Sequence, residues 1–402
     1  RIQKGSGRSN FGVFRHSPDH SISTPGGHGL PLVSKKVRSL TLLYNRGVKR
    51  WDVIIIGGGI IGLSLSIALR KRGATVLIVE RGEPGREASH AAAGMLADFP
   101  LEIPPALQAL AAASAKMYPE FVHELQDESG LKVDLRAQGT ILFATQQQLE
   151  ERPSLMTDCP LPAPLAELEP ALGPVNLAAI YLRERSVDPR ALTAAALEGA
   201  RHRDVDISSG TAVREVLLAD ERVTGVGTDR SSYSAPVVVN CAGAWSGQLP
   251  PLQFPTRPVK GQMLSLAGAS RDLVRHVIRA PEIYLVPRSD GRILVGSTLE
   301  EAGYDKRTDA ATIQRMRQAA IRLVPALAQA RMLEAWAGLR PGSPDNLPIL
   351  GATQIPGYFV ATGHFRDGIL LTPVTAEVMA QMITGGQPEY DVSPFSPARF
   401  EN

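Results

Sequence analysis

The sequence predicts an α/β fold of two packed parts: a parallel sheet built from βαβ units, and a second, mainly antiparallel sheet. Three observations predict it. A β-branched run, Trp51-Asp-Val-Ile-Ile-Ile56, passes without a spacer into a glycine-rich turn and then a helical pattern. Buried-strand runs return far along the chain at Pro236–Asn240 and Tyr358–Ala361, while alternating segments gather between them. The 402 residues also exceed the length at which one hydrophobic core usually stops growing, and the 44% hydrophobic content can fill two.

Residues 1–50 form a separate unit by composition. Ten Lys and Arg stand there against the single acid Asp19, among Ser, Gly, Pro and His without periodicity. Such a segment cannot bury enough surface to offset its ordering entropy, so a disordered basic extension is expected, either an organelle transit peptide or a non-functional leader. The net charge of the whole chain is only +3. With the excess confined to the leader, no nucleic-acid partner is called for.

The first strand leads into a helix with Leu63, Ile67 and Leu69 on its apolar positions, stopped by Gly73 before the strand Thr75–Val79. A small-residue stretch, Gly82–Ala97, precedes a helix over Pro105–Ser129. Strands follow at Gly139–Thr145 and Ala179–Leu182, separated by the Pro-rich Pro153–Pro174. Asp188-Pro189 opens a helix to about Arg201, and Ala219–Arg222 turns a hairpin between Ala212-Val213 and Val223–Val226. Gly261–Leu266, Tyr284–Pro287 and Arg292–Gly296 alternate, which predicts an antiparallel sheet with one solvated face. Helices over Thr312–Ala328 and Leu371–Ile383 complete the pattern, the latter after the loop Thr362–Gly368. The expected division is 51–130, 186–248 and 330–390 for a discontinuous first domain, and 131–185 with 249–329 for the second.

Gly57-x-Gly59-x-x-Gly62 lies between strand and helix, and Glu80 closes the second strand 18 residues after the last glycine. That context makes it a dinucleotide fingerprint: a tight turn, a close backbone approach to pyrophosphate, close helix–strand packing, and a carboxylate for a ribose hydroxyl. It does not distinguish NAD from FAD. The only cysteines, Cys159 and Cys241, have no metal-ligand spacing and no disulfide framework, so no metal site is expected and a reducing, cytoplasmic setting is. Four glycines interrupt the apolar run Val53–Leu69, so no membrane span is expected.

The fingerprint with Glu80 and Ser89-His-Ala-Ala-Ala-Gly-Met95 resembles the D-amino-acid oxidase superfamily, specifically its glycine oxidase branch. The likeness recurs at Val237–Ser246, Arg257–Gln262, Tyr284–Arg288, Trp336–Gly342 and Gly363–Leu371. It implies a Rossmann-like FAD-binding domain of glutathione-reductase type, with the antiparallel-sheet substrate domain roofing a noncovalent FAD. The branch's thiazole-forming role in thiamine biosynthesis comes with it. Carried over position by position, Ile60, Ile61, Glu80, Arg81, Ala88 and Ser89 line the adenosine and pyrophosphate path, and Val213 packs at the adenine end. Ala93, Gly94 and Met95 border the isoalloxazine, as do His364, Phe365, Arg366, Asp367, Gly368, Ile369 and Leu370. Arg340 is expected to clamp the substrate carboxylate with Tyr284, and Arg366 to lie between flavin and substrate or, alternatively, to pair with Asp367.

The implied reaction is oxidation of glycine, sarcosine or D-alanine to an imine by hydride loss from Cα. Molecular oxygen then yields hydrogen peroxide, and hydrolysis of the imine yields the 2-oxo acid and ammonia. Two alternatives stay open: a D-amino-acid or sarcosine dehydrogenase using a quinone or carrier, and a non-catalytic flavin-binding subunit. The resemblance leaves room for a homo-oligomer. Two departures, Glu282 where the branch has a histidine and Leu299 where it has a methionine, leave substrate preference open.

Overall fold

A computed structural model describes residues 49–100 and 102–400. Apart from Lys49 and Arg50, the basic extension lies outside the described residues. Those two are ordered, contrary to expectation: Lys49 pairs with Asp206 at 2.6 Å and Arg50 bridges to Ser234.

Val53–Ile56, buried at every position, sits near the middle of a six-stranded sheet. Its neighbours Val76–Val79 and Val237–Asn240 run parallel to it, and Asp206–Ser208 and Tyr358–Thr362 extend the parallel order outward. Only the edge strand Ile349–Ala352 is antiparallel. Parallel strands need cover on both faces, which is why they read as unbroken apolar runs. Helices Ile60–Lys71, Gln108–Ser129, Pro189–His202 and Thr372–Ile383 cover one face, packing Leu63, Leu110, Leu192 and Val374 against Val53, Ile55 and Ile78. A small sheet, Val213–Ala219, Arg222–Thr228 and Ser232–Ser234, covers the other through Val216, Val223 and Val226. The predicted hairpin is therefore longer than expected, turning at Asp220 and Glu221, both with positive φ.

Helix boundaries follow local chemistry. Asp188 caps Pro189–His202 by accepting from the Arg190 and Ala191 amides, as its Asp-Pro signature predicts. Pro119 falls inside Gln108–Ser129, where it cannot donate to the Ala115 carbonyl; Arg185 Nη1 donates to that oxygen at 3.4 Å instead.

The second sheet has seven strands, in the order 331–342, 257–267, 292–296, 284–287, 277–279, 140–144 and 178–182. All pairs are antiparallel except Val277–Arg279 with Thr140–Ala144. Two expectations are corrected here. The sheet has no solvated face at its centre: Arg257–Ala267 is buried from Val259 to Leu266, because helix Ala310–Leu323 packs on one side and the site on the other. Arg331–Gly342, expected with the dinucleotide half, pairs along its length with Arg257–Ala267 in this sheet. The following helix is also shorter than predicted, ending at Leu323 before a 3₁₀ turn over Pro325–Gln329.

Candidate active site

The C-terminal ends of the parallel strands converge where the chain leaves Val53–Ile56, the position at which open α/β sheets bind ligands. Gly57 adopts φ +106°, and a Cβ on Gly62 would come within 2.1 Å of the Gly57 carbonyl oxygen, so the turn and helix meet only through glycine. Gly59 caps helix Ile60–Lys71 without a side-chain bond. Ser89 Oγ accepts from the Ile60 amide at 2.9 Å, placing a hydroxyl at the positive end of that helix.

Glu80 is no solvated carboxylate. At 9% exposure it accepts from the Gly58 amide through Oε2 and from the Gly82 amide through Oε1, both at 2.8 Å. It thereby ties the two loops that frame the cavity while still lining it.

A cavity of about 720 Å³ runs from this turn to the second sheet. Gly57, Gly59, Ile60, Ile61, Arg81, Ala88 and Val213 line it. Ala93, Gly94, Met95 and His364–Ile369 line it too. Tyr284 and Arg340 stand at the far end. Gly62 packs beneath the turn in the close helix–strand contact expected of the third glycine and does not itself line the cavity. Leu370, expected to line it, does not: at 2% exposure it belongs to the helical core, where Ser114 Oγ donates to its carbonyl.

At the far end Arg340 Nη2 donates to Ser297 Oγ at 2.7 Å and Nη1 to the Thr298 carbonyl at 3.2 Å. No carboxylate of the described residues pairs with it. Burial holds its pKa below the ordinary arginine value, and the neighbouring Arg366 charge acts in the same sense. Burial likewise raises the Tyr284 hydroxyl, against the opposing pull of Ser297 and Arg340, so the phenol is protonated at neutral pH. Arg366 makes no ion pair with Asp367 among the described residues, which removes the paired reading. Burial raises the Asp367 carboxyl to about 6 although the Arg366 charge pulls it down. His364, 3% exposed and close to Thr375 Oγ1 at 3.2 Å, is pushed down to about 4 by burial and stays neutral.

Residues that the sequence did not single out complete the end wall. A Cβ on Gly261 would lie 2.3 Å from Arg340 Nη1, and one on Gly296 would lie 2.6 Å from the Tyr284 ring, so these glycines make the space both side chains occupy. Ser297 and Thr298 then hold the guanidinium. Their signal is cross-strand register, which the linear sequence does not display. Glu282 and Leu299, the two departures, both line the cavity; Glu282 pairs outward with Arg322 at 2.5 Å, and Leu299 is 58% exposed.

The residues present fit a dinucleotide: an open helix N-terminus, a turn closed to any Cβ, a carboxylate held at the second strand's end, and an elongated small-residue trough. Fold and site together define a two-part, dinucleotide-dependent oxidoreductase. Residues 52–382 match the family model described as DAO, FAD dependent oxidoreductase, and the chain belongs to that family.

Among its relatives, the chain is 35% identical over 363 residues to a glycine oxidase from Pseudomonas aeruginosa, covering 86% of this chain and 98% of that protein. It is 32% identical over 407 residues to the hydrogen cyanide synthase subunit HcnC of the same species, covering 88% and 97%. The crystal structure of glycine oxidase from Geobacillus kaustophilus superposes with a TM-score of 0.81 at 31% identity, covering 87% of this chain and 99% of that one.

Proposed function

We propose that this protein oxidises glycine or another small amino acid, sarcosine or D-alanine, to the imine, with oxygen as acceptor and hydrogen peroxide as co-product. The carrying observation is the Arg340 guanidinium, unpaired with any carboxylate of the described residues, at the end of the cofactor cavity beside the protonated Tyr284. A planar fork of donors is suited to a carboxylate, and Tyr284 adds a further donor. Together they would hold the substrate so that its Cα faces the middle of the trough, and orientation of this kind supplies much of the acceleration in such reactions.

FAD, when bound, supplies the two-electron acceptance from the Cα–H bond and the subsequent reaction with oxygen. The chain's own part is to bind, orient and exclude water. Its second sheet, buried on both faces at the central strand Arg257–Ala267, roofs the trough. No side-chain base is needed once the amine is neutral. The similarity to glycine oxidases supports glycine as substrate, and the branch's role supports delivery of the imine to thiazole assembly in thiamine biosynthesis, with a cytoplasmic setting as part of the same reading. No described helix is long and apolar enough to cross a membrane.

A second reading, a dehydrogenase that passes electrons to a quinone or carrier, differs from the first only in the acceptor. Anaerobic mixing of the purified, FAD-loaded protein with glycine, sarcosine and D-alanine separates these. Bleaching of the flavin band by glycine, reversed rapidly by air with peroxide formed, is the expected result. Bleaching that air reverses only slowly moves the assignment to the dehydrogenase. A flavin that no amino acid bleaches ends both.

A further inference from the structure

Arg288 is the largest fully buried side chain described, at 1% exposure, and the reaction proposed above does not use its charge. It follows the strand Tyr284–Pro287 and lies behind the cavity wall, outside the lining. Its Nη2 donates to the Ala93 carbonyl. Its Nε stands 3.9 Å from Asp188 Oδ2, and neither Nε nor Nη1 has a hydrogen-bond partner among the described residues.

The counter-charge is divided. Asp188 Oδ2 accepts from Arg292 Nη2 at 2.9 Å, while its Oδ1 caps helix Pro189–His202. Burial lowers the Arg288 pKa to about 10, with Asp188 and Asp134 opposing that and Arg292 and Arg136 adding to it, so the group remains a cation at neutral pH. A buried, incompletely paired guanidinium is costly, and a neutral donor would suffice to hold one carbonyl.

The peptide that Arg288 grips is informative. A trans peptide points its N–H opposite to its C=O. The Ala93 carbonyl is turned to Arg288, away from the cavity, so the Gly94 N–H is turned toward it. Gly94 lines the cavity, and its N–H bonds to none of the described residues.

We propose that Arg288 positions and polarises the Ala93–Gly94 peptide, making the Gly94 N–H a donor in the cavity wall toward the flavin ring, and that its buried charge raises the ring's affinity for electrons. This rests on the reading of Ala93–Met95 as the flavin-facing segment. Arg288 is thus a positioning residue: fixed donors and charge aimed at developing negative charge stabilise the reduced cofactor more than the oxidised one.

The experiment is the two-electron midpoint potential of the FAD-loaded wild type and of three variants. Arg288→Met removes the charge at similar length. It is expected to weaken binding of reduced relative to oxidised flavin about tenfold, a shift of about 30 mV to lower potential. Arg288→Lys keeps the charge and should shift less. Asp188→Asn keeps the helix cap but removes the opposing anion, so its potential should rise. Opposite signs cannot come from lost stability. Should Arg288→Met fail to fold, the other two variants decide by the same signs. Potentials equal to wild type, with only the melting temperature lowered, would reduce Arg288 to a brace and overturn the proposal. A wild type that takes up no FAD would instead sink the cofactor reading beneath it.

Discussion

Two charged side chains at the site have opposite histories. Arg340 is held by Ser297 and Thr298 through one N–H on each terminal nitrogen, which leaves its other N–H groups for a carboxylate, and charge-assisted hydrogen bonds of that kind contribute about 3 kcal/mol. Arg340→Ala should therefore lower kcat/KM for glycine about 100-fold, mostly through KM, and Arg340→Lys about tenfold. Steady-state kinetics with an unchanged KM would remove Arg340 from carboxylate binding. Asp367 offers a test by pH. Its carboxyl rises from 3.8 to about 6 through burial, so the folded state holds a proton that the unfolded state releases. The resulting penalty is absent below pH 3.8, grows as pH rises through that window, and is complete above about 6. Protein stripped of its cofactor should accordingly be stabilised by Asp367→Asn at pH 7 and not at pH 3.5. A melting-temperature difference that does not change with pH would refute this. The arginine was legible in the sequence because its motif carried it. The raised carboxyl was not, since burial is a property of neighbours.

At the scale of elements, the loop before helix Thr372–Ile383 is held from outside. Tyr118, wholly buried on helix Gln108–Ser129, donates to the Ile369 carbonyl, and Ser114, one turn earlier, donates to Leu370. Tyr118→Phe removes one of the two hydrogen bonds that the Ile369 carbonyl accepts, the other coming from the Thr372 amide at 3.2 Å, and a lost hydrogen bond of that kind costs about 1 kcal/mol. Denaturant melts should show that loss, and titration should show weaker FAD binding, because the same loop walls the cavity. If stability falls while FAD affinity holds, the loop's position does not depend on this helix. The long helices were read from period and caps, although Ala310–Leu323 ends before the predicted Ala328. The second sheet's coverage was misjudged, because alternation along a strand does not reveal that a helix from one part and a cofactor cavity from another occupy its two faces.

On the scale of the whole molecule, residues 297–309 reach from the second sheet to the dinucleotide-binding half. Tyr304 stacks on Trp245 at 5.4 Å and donates to the Ala244 carbonyl at 2.9 Å, while Lys306 pairs with Glu87 at 3.0 Å. Arg81 lies on Trp245 at 3.5 Å, and Arg81, Glu87, Ala244 and Trp245 all line the cofactor cavity. An exposed ion pair and one aromatic stack contribute about 1–2 kcal/mol together. The double variant Tyr304→Ala with Lys306→Met should therefore release FAD about tenfold faster, with initial rates at saturating FAD unchanged. An unaltered release rate would show that the strap does not retain the cofactor. None of this strap was visible in the sequence. What the sequence by itself determined was local: the strand–turn–helix of the fingerprint, its acidic residue, the caps, and the motifs that mark FAD. These depend on backbone sterics and short-range periodicity, which a linear chain displays directly. Only the tertiary structure decided that Arg331–Gly342 joins the second sheet, that Gly261 and Gly296 make room for Arg340 and Tyr284, and that Arg288 stands incompletely paired behind Ala93. Each of those depends on which residues lie opposite one another across sheets, and pairing at long range follows from the packing of the whole chain.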